Sequence, residues 1–144
     1  MLRTLRRFLA LAPAERWLVL EAVVVLALVT VALRVWSLAT ARRFARWLAA
    51  ASRRSTAQLS VARLAWALAA AGRRLPGGRN CLAEALAGLV MLRRSGRPAR
   101  LRIGVARRVS GSFVAHAWVE CDGFPVVGAA GAPALTPLPA LEEN

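Results

Sequence analysis

Between Trp17 and Leu33 the chain runs for 17 residues with a single charge, Glu21. A stretch this apolar is stable packed inside a domain or placed in a bilayer, where a spanning helix takes about 20 residues. Pro13 pre-sets helical φ at a first turn, and Glu15 and Glu21 early with Arg34 late suit the helix dipole. The segment therefore reads as one helix through Trp36. Burying an ionised side chain near a bilayer centre costs about 2.5–3.5 kcal/mol on insertion scales, but Glu21 lies near one end and could reach an interface. Three placements stay open: a buried helix, contact with a membrane surface, and a span. A cleaved secretory signal is excluded, because Glu21 interrupts the run and Arg34 follows it where a small-residue cleavage site would stand.

Leu2, Leu5, Phe8 and Leu9 have helical spacing within residues 1–12. A further helix is predicted over Ala41–Ala51, then a loop at the Ser/Thr cluster of residues 52–56, then a helix over Ser60–Arg74 with Val61, Leu64, Ala65 and Leu68 on one face. The LPGG segment at residues 75–78 breaks the chain sharply. A soft boundary near residue 57 divides an N-terminal helical segment (1–56), a candidate membrane-associated hairpin, from a core (57–144).

Asn80 is a good N-cap, which makes Cys81 the first residue of a helix reading CLAEALAGLVMLRR. Arg93-Arg94 in its last turn, Gly96 as the stop and Pro98 beyond mark its end. Arg100–Ala106 alternates apolar and polar as a half-buried strand does. A turn over Arg107–Ser112 leads to a strand at Phe113–Cys121. Asp122-Gly123 is a two-residue hairpin signal, and Phe124–Val127 returns as a third strand. Helices followed by helix–strand–strand–strand give an α+β class: an N-terminal helical segment, then a small core with a Cys-bearing helix packed on an antiparallel sheet.

All 21 basic residues are arginine, against seven acids, for a formal charge of +14. Such a charge favours acidic partners. The arginines fall in scattered pairs with no helix-turn-helix or zinc-finger pattern and no interleaved aromatics, so nucleic acid is not an expected partner. An acidic peptide or an anionic membrane surface remains.

The sole histidine, His116, lies in a strand whose alternation puts Trp118 and Glu120 on the same face. Cys81 heads a helix directly after a Pro-Gly-Gly turn, where free amides and the dipole favour a thiolate and can hold an oxyanion. A thiol with a histidine on a facing strand is the usual nucleophile–base arrangement. Asn80 would help position the reacting carbonyl, while Trp118 and Glu84 would line the cleft. Cys121 reads as a packed residue. A Cys81–Cys121 disulfide would need an oxidising compartment, and nothing else points outside the cytoplasm. One histidine and two distant cysteines lack metal-ligand spacing, and no phosphate-binding glycine loop occurs, so no metal or cofactor is expected.

A Cys-headed helix followed by a strand and an HAWVE hairpin resembles the transglutaminase-like, papain-related core. The blocks NCLAEAL, LRIGV and AHAWVE, with LTPLPALE beyond them and the apolar N-terminal helix before them, are similar to the leader peptidase of lasso-peptide biosynthesis, the B-type processing protein. The resemblance spans nearly the whole chain. It implies a cysteine peptidase with Cys81 and His116 as its pair, cutting the leader from a ribosomally made precursor before a separate ATP-using cyclase closes the macrolactam. It also implies a separate leader-recognition protein as partner. In the wider superfamily an acid on the next strand completes the triad. With Asp122-Gly123 as the turn, Glu120 faces Pro125 and His116 faces Ala129, so no acid is opposite. Glu120 is about 13 Å along the strand and Asp122 about 20 Å. A backbone carbonyl, Glu84, or Asp122 through a bulge would have to orient the imidazole. Two other readings stay open: a non-catalytic membrane-associated adaptor, and amide transfer by the same pair. The expected location is the cytoplasm, with the inner face of its membrane as a second site.

Overall fold

The structure is a computed structural model that describes residues 6, 8–51, 59–74, 80–107, 110–128 and 136–137. The expected loop at 52–56 and the break at 75–78 lie outside the described residues, as do residues 1–5 and 7 of the first predicted helix. Four helices, α1 (Pro13–Val35), α2 (Leu38–Ala50), α3 (Val61–Gly72) and α4 (Cys81–Arg94), precede the strands β1 (Ala99–Arg107), β2 (Phe113–Cys121), β3 (Phe124–Val127) and β4 (Thr136–Pro137). The strands form an antiparallel sheet in the order β3-β2-β1-β4. The α+β architecture is as the sequence predicts.

Helix α4 is the centre of the molecule. Every residue from Ala83 to Leu92 is buried, because α1, α2 and α3 pack around it on one side and the sheet on the other. A helix packed on all sides has no polar stripe, and this one buries Leu86, Leu89, Val90, Met91 and Leu92. Its small residues let the sheet close in: a Cβ on Gly88 would lie 2.9 Å from Val127 Cγ2.

Side-chain caps set the helix starts. Asn80 Oδ1 accepts from the Leu82 and Ala83 amides at 3.0 and 3.2 Å, and Ser60 Oγ accepts from Arg63 N. Ser37 Oγ accepts from Thr40 N, which starts α2 at Leu38 instead of Ala41, where apolar spacing alone put it. At the other end of α4, Arg94 ties three helices together. Its Nε donates to the Leu48 carbonyl at 3.0 Å, and Nη1 meets Glu21 Oε1 at 2.9 Å. The one charge in the apolar run of α1 is thus neutralised inside the helix layer.

Helix α1 is long and apolar enough to cross a membrane by length and composition. Its inner face, however, belongs to the domain core: Leu18, Ala22, Val25, Leu26 and Val29 are buried in the same cluster as α4. Its outer face is open to solvent.

Asp122 (φ 52°) and Gly123 (φ 83°) form the predicted tight turn, both in the left-handed conformation that a two-residue hairpin requires. Cys121 pairs with Phe124 and Glu120 with Pro125, but Val119 then pairs with Val127. Val126 is an extra residue in β3, and the bulge shifts the register beyond it by one.

Replacing a helical glycine by alanine ordinarily stabilises a helix by about 1 kcal/mol. Gly88→Ala should instead destabilise the fold by about 1–3 kcal/mol through overpacking against Val127, seen as a lower urea midpoint. The further change Val127→Ala should recover part of the loss.

Candidate active site

Cys81 occupies the first position of α4, half-buried against the edge of the core. It is the point at which a buried helix reaches the surface. The cap narrows what that terminus offers. Asn80 Oδ1 takes the Leu82 and Ala83 amides, and the Asn80 carbonyl takes the Glu84 amide at 2.9 Å. Among the described residues, the Cys81 amide alone of residues 81–84 keeps a free N–H. An oxyanion at this helix start therefore has one backbone donor, beside the nucleophile itself, and not a set of them.

His116 Nε2 lies 2.7 Å from the Gly128 carbonyl oxygen. A carbonyl only accepts, so Nε2 carries the proton in the neutral ring and Nδ1 holds the lone pair. Gly128 is suited to this close approach. Its φ is 70°, and a Cβ there would fall 2.8 Å from the Ala117 carbonyl oxygen. A backbone carbonyl is one of the three orienting groups that the sequence left open, and it is the one found here.

The imidazole is also held by its face. The Trp118 ring lies nearly parallel to it, with centroids 6.4 Å apart and an interplanar angle of 18°. Trp118 Nε1 donates to Glu120 Oε1 at 3.2 Å, and Arg102 Nε donates to Glu120 Oε2 at 3.0 Å. Glu120 acts on the histidine through the indole, not by direct contact. The signal for this chain was in the sequence, since residues 116, 118 and 120 share a strand face. Arg102 joins it because β1 pairs Arg102 with Trp118.

Ala117, Val119 and Val127 face the helix layer, being part of the core with α4. Alternation consequently turns His116, with Trp118 and Glu120, to the opposite face of the sheet. Along the molecule the two candidates are at the same end. Gly88 meets Val127, the partner of Val119. Cys81 lies about 10 Å from Gly88 by helical rise, and His116 about 10 Å from Val119 by strand rise. Both are displaced away from the 95–98 link that turns α4 back into β1. β3 pairing ends at Val119↔Val127. From Trp118 back to Phe113, the β2 edge opposite β1 has no partner strand among the described residues. Cys81 thus heads α4 on one side of the sheet while His116 lies on the other, so the pair can meet only across that edge. Among the described residues, neither the Cys81 sulfur nor His116 Nδ1 has a hydrogen-bond partner.

The other predicted residues stand elsewhere. Asp122 is exposed in the hairpin turn and accepts from the Cys121 thiol at 3.7 Å. Glu84 is buried, its Oε1 2.8 Å from where a Gly72 Cβ would be, at the end of α3. Cys121 is buried and unbridged. Burial pushes its thiol above the ordinary range, and the neighbouring Asp122 charge and hydrogen bond push it further.

Cys121 should consequently stay a thiol at neutral pH. Iodoacetamide at pH 7.5 should modify Cys81 alone in the folded protein, with Cys121 labelled only after unfolding. Mass mapping of the labelled peptides checks this.

The profile of the transglutaminase-like superfamily matches residues 25–140, an interval that takes in the second half of α1 from Val25 and the whole sheet. No curated protein and no solved structure matches the chain significantly. Members of the matched superfamily are typically cysteine-dependent enzymes. With a capped helix headed by cysteine, a strand-borne histidine on an antiparallel sheet and this match over most of its length, the chain belongs to the transglutaminase-like superfamily.

Proposed function

We propose that the protein is a cysteine peptidase that removes the leader from a ribosomally made lasso-peptide precursor, with Cys81 as nucleophile and His116 as base. The observation that carries the reading is the His116–Gly128 hydrogen bond at 2.7 Å. It fixes the ring so that Nδ1 is the basic nitrogen, and it supplies from the backbone the orienting contact that an acid gives elsewhere in the superfamily. The narrower assignment to leader removal rests on the blocks NCLAEAL, LRIGV and AHAWVE.

In this reading the substrate enters over the β2 edge, between the start of α4 and the imidazole. His116 Nδ1 takes the thiol proton, and the Cys81 sulfur attacks the scissile carbonyl carbon. The oxyanion accepts from the Cys81 amide. The Asn80 side chain, its oxygen committed to the cap, offers its Nδ2 protons as a second donor. The imidazolium then protonates the departing amine as the C–N bond breaks, leaving a thioester on Cys81. Water, deprotonated by His116, releases the leader as a carboxylate. A leader-recognition protein would present the precursor, and a cyclase would consume the freed amine. Asp122 has no part in this scheme, because the Gly128 carbonyl orients the ring.

Cys81→Ala and His116→Ala should each abolish leader removal in a reaction reconstituted with precursor and recognition protein. Normal cleavage by Cys81→Ala would refute the assignment. Product mass separates hydrolysis from amide transfer: a free carboxylate on the leader marks a peptidase, and an amine adduct marks a transferase.

Gly128→Ala should displace the carbonyl that orients His116. A misplacement of about 1 Å at a catalytic group lowers the rate about 10²-fold. The variant should lose activity on that scale while keeping the far-UV circular dichroism of the native protein.

A further inference from the structure

Helix α1 presents a second face that the core does not use. Trp17, Leu20, Val24, Leu28, Val31 and Val35 are all exposed, from 41% at Leu28 to 69% at Val35. Their spacing of three and four residues puts them on one line along the helix, a stripe about 27 Å long by helical rise. Isolated apolar residues on a surface need no explanation, but a continuous stripe this long marks a contact surface. A groove of about 220 Å³ runs beside its first half, with the Glu21–Arg94 pair in its wall.

We infer that this face lies on an anionic phospholipid surface, with α1 parallel to the membrane plane. Three observations select that occupant. The stripe holds no charged or amide side chain with which to recognise a particular protein surface. Its ends carry indoles, Trp17 at 68% and Trp36 at 47% exposure, the side chain that partitions to the boundary between headgroups and acyl chains. The net charge around it is positive. Arg34 and Arg43 are exposed near its C-terminal end, and the acids of α1 are paired, Glu15 with Arg63 at 3.0 Å and Glu21 with Arg94 at 2.9 Å. On a chain of net charge +14, this face meets negative headgroups without repulsion.

The same structure argues against α1 crossing the bilayer. Leu18, Ala22, Val25, Leu26 and Val29 pack in the core with α4. Inserting α1 as a span would strip that core, whereas laying it on the surface keeps the inner face in the protein and gives the outer face to lipid. The inference is independent of the peptidase reading, since no catalytic candidate lies on this face.

The test is co-sedimentation of the full chain with phosphatidylcholine vesicles, alone or with about 30 mol % phosphatidylglycerol. Binding to the anionic vesicles is expected, with weak binding to the neutral ones and a loss of about tenfold between 0.1 and 0.5 M NaCl. Val24→Gln/Val31→Gln removes two exposed side chains without touching the core, and should weaken binding about tenfold or more. No binding to anionic vesicles, equal binding to neutral ones, or binding unchanged by the double variant would overturn the inference. So would a dimer in sedimentation velocity that the double variant dissociates, because the face would then belong to a second copy of the chain.

Discussion

The packing of α4 on all sides governs the rest of the structure. Ten consecutive residues, Ala83 to Leu92, are shut away from water, so their backbone groups are satisfied within the helix and its cap, and every side chain among them but that of Glu84 is apolar or small. Three helices and a sheet can surround one helix only where small residues let them approach. Gly88 sets that distance against Val127, and Gly72 gives way to Glu84. Such a helix meets solvent only at its ends. One end is closed by Arg94, which binds α1 and α2 together. The other carries Cys81.

That constraint explains where a candidate nucleophile can stand. A nucleophile on the flank of α4 would be buried, and one at its first turn is accessible with helix amides beside it. Asn80 stabilises the turn but occupies two of those amides, leaving the Cys81 N–H for chemistry. On the sheet, the early end of β3 leaves part of β2 without a partner strand among the described residues, and His116 lies in that part. Gly128, leaving the sheet just there with positive φ, turns its carbonyl onto the imidazole. The Gly128 carbonyl thus holds the histidine in one tautomer without a carboxylate. Glu120 still contributes, by anchoring the indole against which the ring lies.

Much of this was legible in the sequence. Asn80, Arg93-Arg94 and Gly96 bracket α4 at the bounds the structure has, because caps and stop signals act locally. Alternation located β1 and β2, and Asp122-Gly123 fixed the turn between β2 and β3. What depended on register was not legible. Nothing in FPVVG announces that Val126 bulges, and the bulge sets the register of β3 against β2 beyond Glu120. A capping serine, Ser37, overrode apolar spacing at the start of α2. The apolar run of α1 left its placement open, because one face serves the core and the other is equally apolar. Only the packing separates the two faces. Glu120 was dismissed as an orienting acid on distance, correctly for direct contact, but its reach through Trp118 needed side-chain geometry.

The central claim is that the sulfur at the head of α4 and the side chain at position 116 open onto one cleft across the β2 edge. The most direct measurement is bifunctional cross-linking. His116→Cys in a Cys121→Ser background is treated with dibromobimane, which becomes fluorescent on bridging two nearby thiols. The account predicts an intramolecular bridge between positions 81 and 116 in the folded monomer, confirmed by mass and absent after denaturation. Separate labelling of both thiols with no bridge would contradict it, because the sheet would then hold the two side chains apart.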